Sequence, residues 1–172
     1  MMQEAQTPAQ RRAQITENIV ATTGIDEAMI ERLVRQFYAK IAMDDLLGPI
    51  FAARIADWEA HLQRMCAFWS SVALLSGRYH GSPMAKHQPL PVDGRHFDHW
   101  LVLFEKTARE VCPPVAADHF IERARRIAES LELGIAGGHG VLLAKGARYR
   151  NEQLHVSAPG AIAGKQGVGG TV

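Results

Sequence analysis

Cysteine is scarce in this chain. Cys66 and Cys112 stand alone among 172 residues, with no C-x-x-C pair and no framework of disulfides to hold a fold together. Charge of either sign is not in excess: the formal net charge of +1 gives no electrostatic reason for a nucleic acid or an anionic membrane as partner. No apolar run approaches the ~20 residues that span a bilayer. The first residues, MMQEAQTPAQRRAQ, lack the apolar core of a secretion signal, so a soluble, cytoplasmic protein is expected. Sustained strand alternation between turn signals is missing as well. What remains is one domain, long enough to bury a core unaided, with 47% hydrophobic residues arranged at helical spacing.

Residues 1–24 form a polar extension, partly helical between Arg11 and Ala21 and stopped at Gly24. Asp26 caps a stronger helix whose apolar stripe runs Met29, Ile30, Leu33, Val34, Phe37, Tyr38, Ile41. An irregular corner, LLGPIF, follows, where Gly48 and Pro49 forbid continuation and Phe51 arrives at a bend. The next helix, from about Ile55 to Leu75, carries His61, Met65, Phe68 and Val72 on one face, and Cys66 packs there as a small hydrophobe. A helix from Asp93 buries Phe97, Trp100, Leu101, Phe104, Ala108 and Val111 and ends at Pro113-Pro114. The last, Val115 to Ala136, closes at Gly137-Gly138. Residues 139–172 read as a Gly- and Ala-rich flexible tail whose one aromatic is Tyr149. The domain proper, 25–138, is all-α.

Between two of these helices lies Tyr79-His80-Gly81-Ser82-Pro83-Met84-Ala85-Lys86-His87. Gly81 and Pro83 break the helical pattern and present His87 just before Pro89. An isolated histidine at such a break, inside an all-α domain, suits a cofactor held between helices. Haem needs one neutral imidazole on its iron, an apolar slot for a flat ring, and cations near its propionates. His87 meets the first need; Phe51, Met65, Phe68, Leu90, Phe97 and Phe104 can supply the second; Arg78, His80 and Lys86 the third. No C-x-x-C-H exists for covalent attachment. His61 lies on the inner face of the preceding helix, and Tyr38 and Trp100 on the inner faces of its neighbours. Burying their O–H and N–H groups unpaired would cost about 1–3 kcal/mol. Tyr38 and Trp100 therefore either bond a backbone carbonyl or point at a bound ligand. His96 and His99, three apart, have a spacing that could clip a metal but suit solvated or capping roles better. His119, His139 and His155 read as exposed.

Five blocks in order carry a resemblance: FYAKI-x-x-D from Phe37 to Asp44, LGPIF from Leu47 to Phe51, W-x-x-HL-x-x-M-x-x-FW from Trp58 to Trp69, Y-x-G-x-P-x-x-x-H from Tyr79 to His87, and HF-x-x-WL-x-LF from His96 to Phe104. Over about Asp26 to Ile135 the chain resembles the truncated haemoglobins, most closely their group III branch. The paired-glycine motifs of groups I and II are lacking at Ala53–Trp58 and Ser76–His80. The resemblance implies a two-on-two helical sandwich around noncovalent haem b. By position it makes His87 the proximal iron ligand, Phe51 the wedge at the corner, Met65 a distal lining residue, Tyr38 and Trp100 the distal hydrogen-bonding pair, and His61 the distal histidine that can swing and gate the pocket.

Three functions follow. The first is a five-coordinate haem protein that binds dioxygen and other diatomic ligands, as a monomer or weak dimer. The second is a haem enzyme, peroxidase-like or turning over nitric oxide with dioxygen, which needs an external electron donor because no reductase domain is attached. The third is a cofactor-free helical interaction domain. A di-iron protein is set aside, since the one Glu-x-x-His spacing, Glu152 to His155, falls in the tail. Two convergent donors, Tyr38 and Trp100, would slow dioxygen release, which suits ligand chemistry better than bulk transport.

Overall fold

The computed structural model describes residues 6–155. Seven α-helices follow in order: α1 (Pro8–Thr23), α2 (Glu27–Ala42), α3 (Gly48–Ala52), α4 (Trp58–Leu74), α5 (Pro83–His87), α6 (Gly94–Val111) and α7 (Pro114–Gly138), with a terminal 3-10 turn at Glu152–His155. No strand occurs among the described residues. None of the helices described is long and apolar enough to cross a membrane.

Local chemistry sets the boundaries. Asp26 accepts the Met29 N–H at 2.7 Å and starts α2, and Asp57 does the same for Ala60 at 3.0 Å, so α4 begins at Trp58 rather than near Ile55. Asp93 and His96 form a reciprocal capping box at the head of α6, which gives His96 the capping role. Gly24, at φ 68°, ends α1 in the left-handed conformation that glycine adopts without strain. The LLGPIF corner closes into the single turn α3, with Pro49 in its first turn.

Two helix pairs cross. α2 packs on α4, α6 packs on α7, and α2 also lies on α6 while α4 touches α7. The expected stripe on α2 is buried throughout. At the crossing, Phe104 lies between two indoles: Trp69 stacks on one side at 4.8 Å and Trp100 on the other at 5.2 Å. Each such pair contributes about 0.5–1.5 kcal/mol beyond the area it buries. The apolar interior divides into two bodies. The larger holds α2, Trp69, Phe104 and Phe120, and the smaller joins Val92, Phe97, Leu131, Ile135 and Tyr149.

The smaller body corrects the reading of the tail. Residues 148–151 are docked, and Tyr149 is buried. Its N–H donates to Glu132 Oε1 at 2.7 Å, and its carbonyl accepts from Gly94 N at 2.9 Å. Arg148 donates to both Glu132 oxygens and to the Gly94 carbonyl, and pairs with Asp98. A Cβ on Gly94 would fall 2.7 Å from Glu132 Oε1 and 3.1 Å from the Tyr149 carbonyl, so this approach requires glycine. The rest of the expected tail, 156–172, lies outside the described residues, as does the side chain of His155. Truncating Tyr149 to Ala is expected to free residues 141–155, with new protease cuts and fast amide exchange confined to that segment. Unchanged protection there would show that the segment is held by other contacts.

Candidate functional site

Tyr38, Phe51 and His61 come together on the inner surface of α2, α3 and α4. The His61 ring stands edge-on to Tyr38 at 5.0 Å and lies 6.5 Å from Phe51; Tyr38 and Phe51 are 5.9 Å apart. Trp58, three residues before His61 and so on the same side of α4, adds a fourth ring at 6.0 Å. Trp100 joins through Phe37, which contacts Tyr38 at 5.1 Å and Trp100 at 5.4 Å. Trp58 and Phe37 were not among the sequence candidates. The W-x-x-H spacing was the available signal for the first, and adjacency to Tyr38 for the second.

His61 Nε2 is buried and has no hydrogen-bond partner; among the described residues it is the one buried side-chain nitrogen or oxygen in that condition. An orphaned buried polar atom is costly, and a fold retains one where something else bonds it. Burial, helped by the charge of Arg64 and by the proximity of His87, pushes the imidazole down to about 4, so the ring is neutral at neutral pH. The influence of His87 also fixes a spatial relation: the two histidines are close enough for the charge of one to act on the other. In the unfolded chain a histidine titrates near 6.5. The stability contributed by a neutral His61 is therefore complete above that pH and lost as pH falls from 6.5 towards 4. Replacing His61 by Leu in the cofactor-free protein is expected to flatten this acid loss in pH-dependent urea melts. An unaltered slope would contradict the burial.

Tyr38 is buried, and burial raises its phenol well above the ordinary range, so it stays protonated and able to donate. Neither its hydroxyl nor the Trp100 N–H joins a hydrogen bond among the described residues. The backbone-carbonyl alternative for these two groups is thus not realised here.

His87 ends the single turn α5, half-buried, with Nδ1 2.7 Å from the Pro83 carbonyl. A carbonyl only accepts, so Nδ1 carries the proton and Nε2 keeps its lone pair free. That tautomer is the one a metal-binding imidazole needs.

The other candidates fall differently. Met65 and Phe68 are partly buried against the larger apolar body, and Phe68 packs edge-on to Tyr79 at 5.2 Å. Phe97 belongs to the smaller body, beside Leu90 and Met84. Phe104 is buried and stacks against both Trp69 and Trp100. Arg78 is held by Glu27 at 2.7 Å, while Lys86 and His80 are exposed. His99 bonds Asp44 at 2.6 Å, tying the corner to α6. His119, expected in solvent, is half-buried with Nε2 3.1 Å from the Ala73 carbonyl. His139 is exposed and stacks on Tyr149.

Comparisons with known proteins give the family. The bacterial-like globin family matches residues 18–132. Group 3 truncated hemoglobin ctb of Campylobacter jejuni is 34% identical over 122 residues, covering 67% of this chain and 96% of that protein. Group 2 truncated hemoglobin YjbI of Bacillus subtilis is 30% identical over 79 residues, 45% of this chain and 60% of that one. The crystal structure of the group III truncated hemoglobin from Campylobacter jejuni superposes with a TM-score of 0.60 at 33% identity, over 63% of this chain and 89% of that structure. The chain therefore belongs to the bacterial-like globins, in the group III branch of the truncated haemoglobins.

Proposed function

We propose that this globin holds noncovalent haem b between His61 and His87 and binds dioxygen and other small diatomic ligands on the His61 side. One observation carries the reading: a buried imidazole nitrogen without a partner, His61 Nε2, lies within electrostatic reach of a second imidazole whose Nε2 is free and whose tautomer is fixed. Haem, when bound, supplies an iron with one open position for a small gas.

The chain's own groups do the rest. His87 Nε2 would hold the iron, oriented by the Nδ1–H bond to Pro83. Phe51, Met65, Phe68 and Phe97 would exclude water from the ring. Lys86, exposed beside His87, and Arg78, in a surface pair with Glu27, would be the cations near a propionate. Tyr38 and Trp100 would donate hydrogen bonds to a bound ligand, and neutral His61 would be able to donate, accept or swing aside.

Two donors directed at a polarised ligand strengthen its retention. That favours chemistry on reactive oxygen or nitrogen species, with electrons from an external reductant, over a carrier that must unload. Tyr38 supports this: its proton is held firmly, so it polarises a ligand without being consumed as an acid.

Ferric, ferrous and carbonmonoxy absorption spectra of the purified protein test the reading. A Soret band with a five-coordinate ferrous form is expected. A protein that takes up no haem when it is supplied would leave the cofactor-free interaction domain instead. A six-coordinate, low-spin ferrous form lost in His61→Leu would make His61 an iron ligand as well as a gate.

A further inference from the structure

We infer that Gly134 and Gly138 of α7 are positioning residues for His87, forming a receptacle that sets the rotation and depth of α5 on α7. The inference rests on the haem reading above.

α5 is five residues long and lacks a side-chain cap bond. A single turn has no stability of its own, so its place comes from what it packs against, and that is α7. The contact is specific. A Cβ added to Gly134 would coincide with the Sδ and Cε of Met84, and one added to Gly138 would coincide with Nε2 of Gln88, with Gln88 Cδ at 3.0 Å and Cγ at 3.3 Å. Gly134 and Gly138 are four apart, and so are Met84 and Gln88, so the two side chains enter two niches one helical turn apart. His87 lies between them in sequence, three residues after Met84 and one before Gln88. With Met84 set against Gly134 and the exposed Gln88 lying over Gly138, rotation of α5 about its axis is opposed at both points, and the His87 ring is aimed by α7 as well as by Pro83.

Glycine inside a helix is unfavourable relative to alanine, which makes its presence at position 134 informative, while Gly138 is the last residue of α7. Gly137, between them, supplies the contrast: a Cβ there meets nothing within 4 Å. Met84 and Gln88 would meet an added methyl with the ends of flexible side chains, so one substitution is partly absorbed by their movement. The pair together displaces both contacts of α5 with α7 at once.

The experiment compares G134A/G138A with G134A, with G137A and with M84A/G134A. It reads haem transfer to an excess of acceptor apoglobin, the iron–histidine stretching band of the ferrous protein, and the melting temperature of the cofactor-free chain. The double glycine variant is expected to lose haem about 10–100-fold faster, the range for groups that orient a metal ligand, and to shift the band. Its cofactor-free melt should be unchanged or raised, as alanine favours helix. G137A should move neither haem readout, and adding Met84→Ala to Gly134→Ala should return the transfer rate towards wild type. A double variant with wild-type haem loss and band overturns the inference, as does failure of Met84→Ala to rescue, or an early melt with an unshifted band. Wild-type protein that takes up no haem, or keeps its band in His87→Ala, overturns the function proposed above and this inference with it.

Discussion

Replacement of His87 by alanine is expected to abolish tight haem retention, with loss of the cofactor at least ~100-fold faster, beyond the range that outer-shell partners reach. The effect follows from the position of the residue. His87 closes a one-turn helix, its Nδ1 is committed to Pro83, and no second histidine shares that turn, so nothing nearby replaces the lost bond to iron. The substitution removes a half-buried ring from a short turn and leaves the crossing of α2, α4, α6 and α7 untouched, so helix content should hold. Imidazole added to the variant should restore haem retention by occupying the space the side chain leaves. Spectra of His87→Ala identical to wild type, without imidazole, would rule out this residue as the iron ligand.

The second large effect is on ligand release. Hydrogen bonds to charged acceptors contribute about 1.5–3 kcal/mol, and each 1.4 kcal/mol is a factor of about ten. Tyr38→Phe should therefore speed dioxygen dissociation by roughly 10–100-fold. Phenylalanine keeps the ring contacts to Phe37, Phe51 and His61, so the packing cost is small and the hydroxyl alone is tested. Trp100→Phe deletes the second donor, and the Phe104 stack accommodates another flat ring. In the proposed pocket both donors address one ligand, so their effects should couple, and the double variant should depart from the product of the singles. Stopped-flow dissociation rates read this directly. Rates that agree in wild type, both singles and the double variant would remove the donor pair from the mechanism.

Much of the fold was legible because its determinants are local. The α2 stripe, the stop at Gly24 and the caps at Asp26 and Asp93 each depend on residues within a turn of one another. His61, Tyr38 and Phe51 could be brought together from helix faces and a proline-marked corner. The docking of 148–151 could not, since its partners Glu132, Gly94 and Asp98 lie 16–54 residues away and a single aromatic gives no periodic signal. Phe104 and Arg78 show the same limit at the site. A phenylalanine on an inner face fits a core or a cofactor wall equally well, and nothing local announces the stack on Trp69. A cation near a loop turns to whichever carboxylate tertiary structure brings closest, here Glu27.

The acceptor that orients His87 is a main-chain carbonyl, four residues back in the same turn. No amino-acid exchange can delete an oxygen of the backbone, so sequence drift around the turn can alter size, polarity and charge while the same ring nitrogen keeps its proton. The electron-donating character of the imidazole is in that respect insulated from mutation. Diversification among descendants of this chain is thereby steered to the opposite, side-chain-built wall, where one base change in the codon for Tyr38 or Trp100 alters what the pocket does.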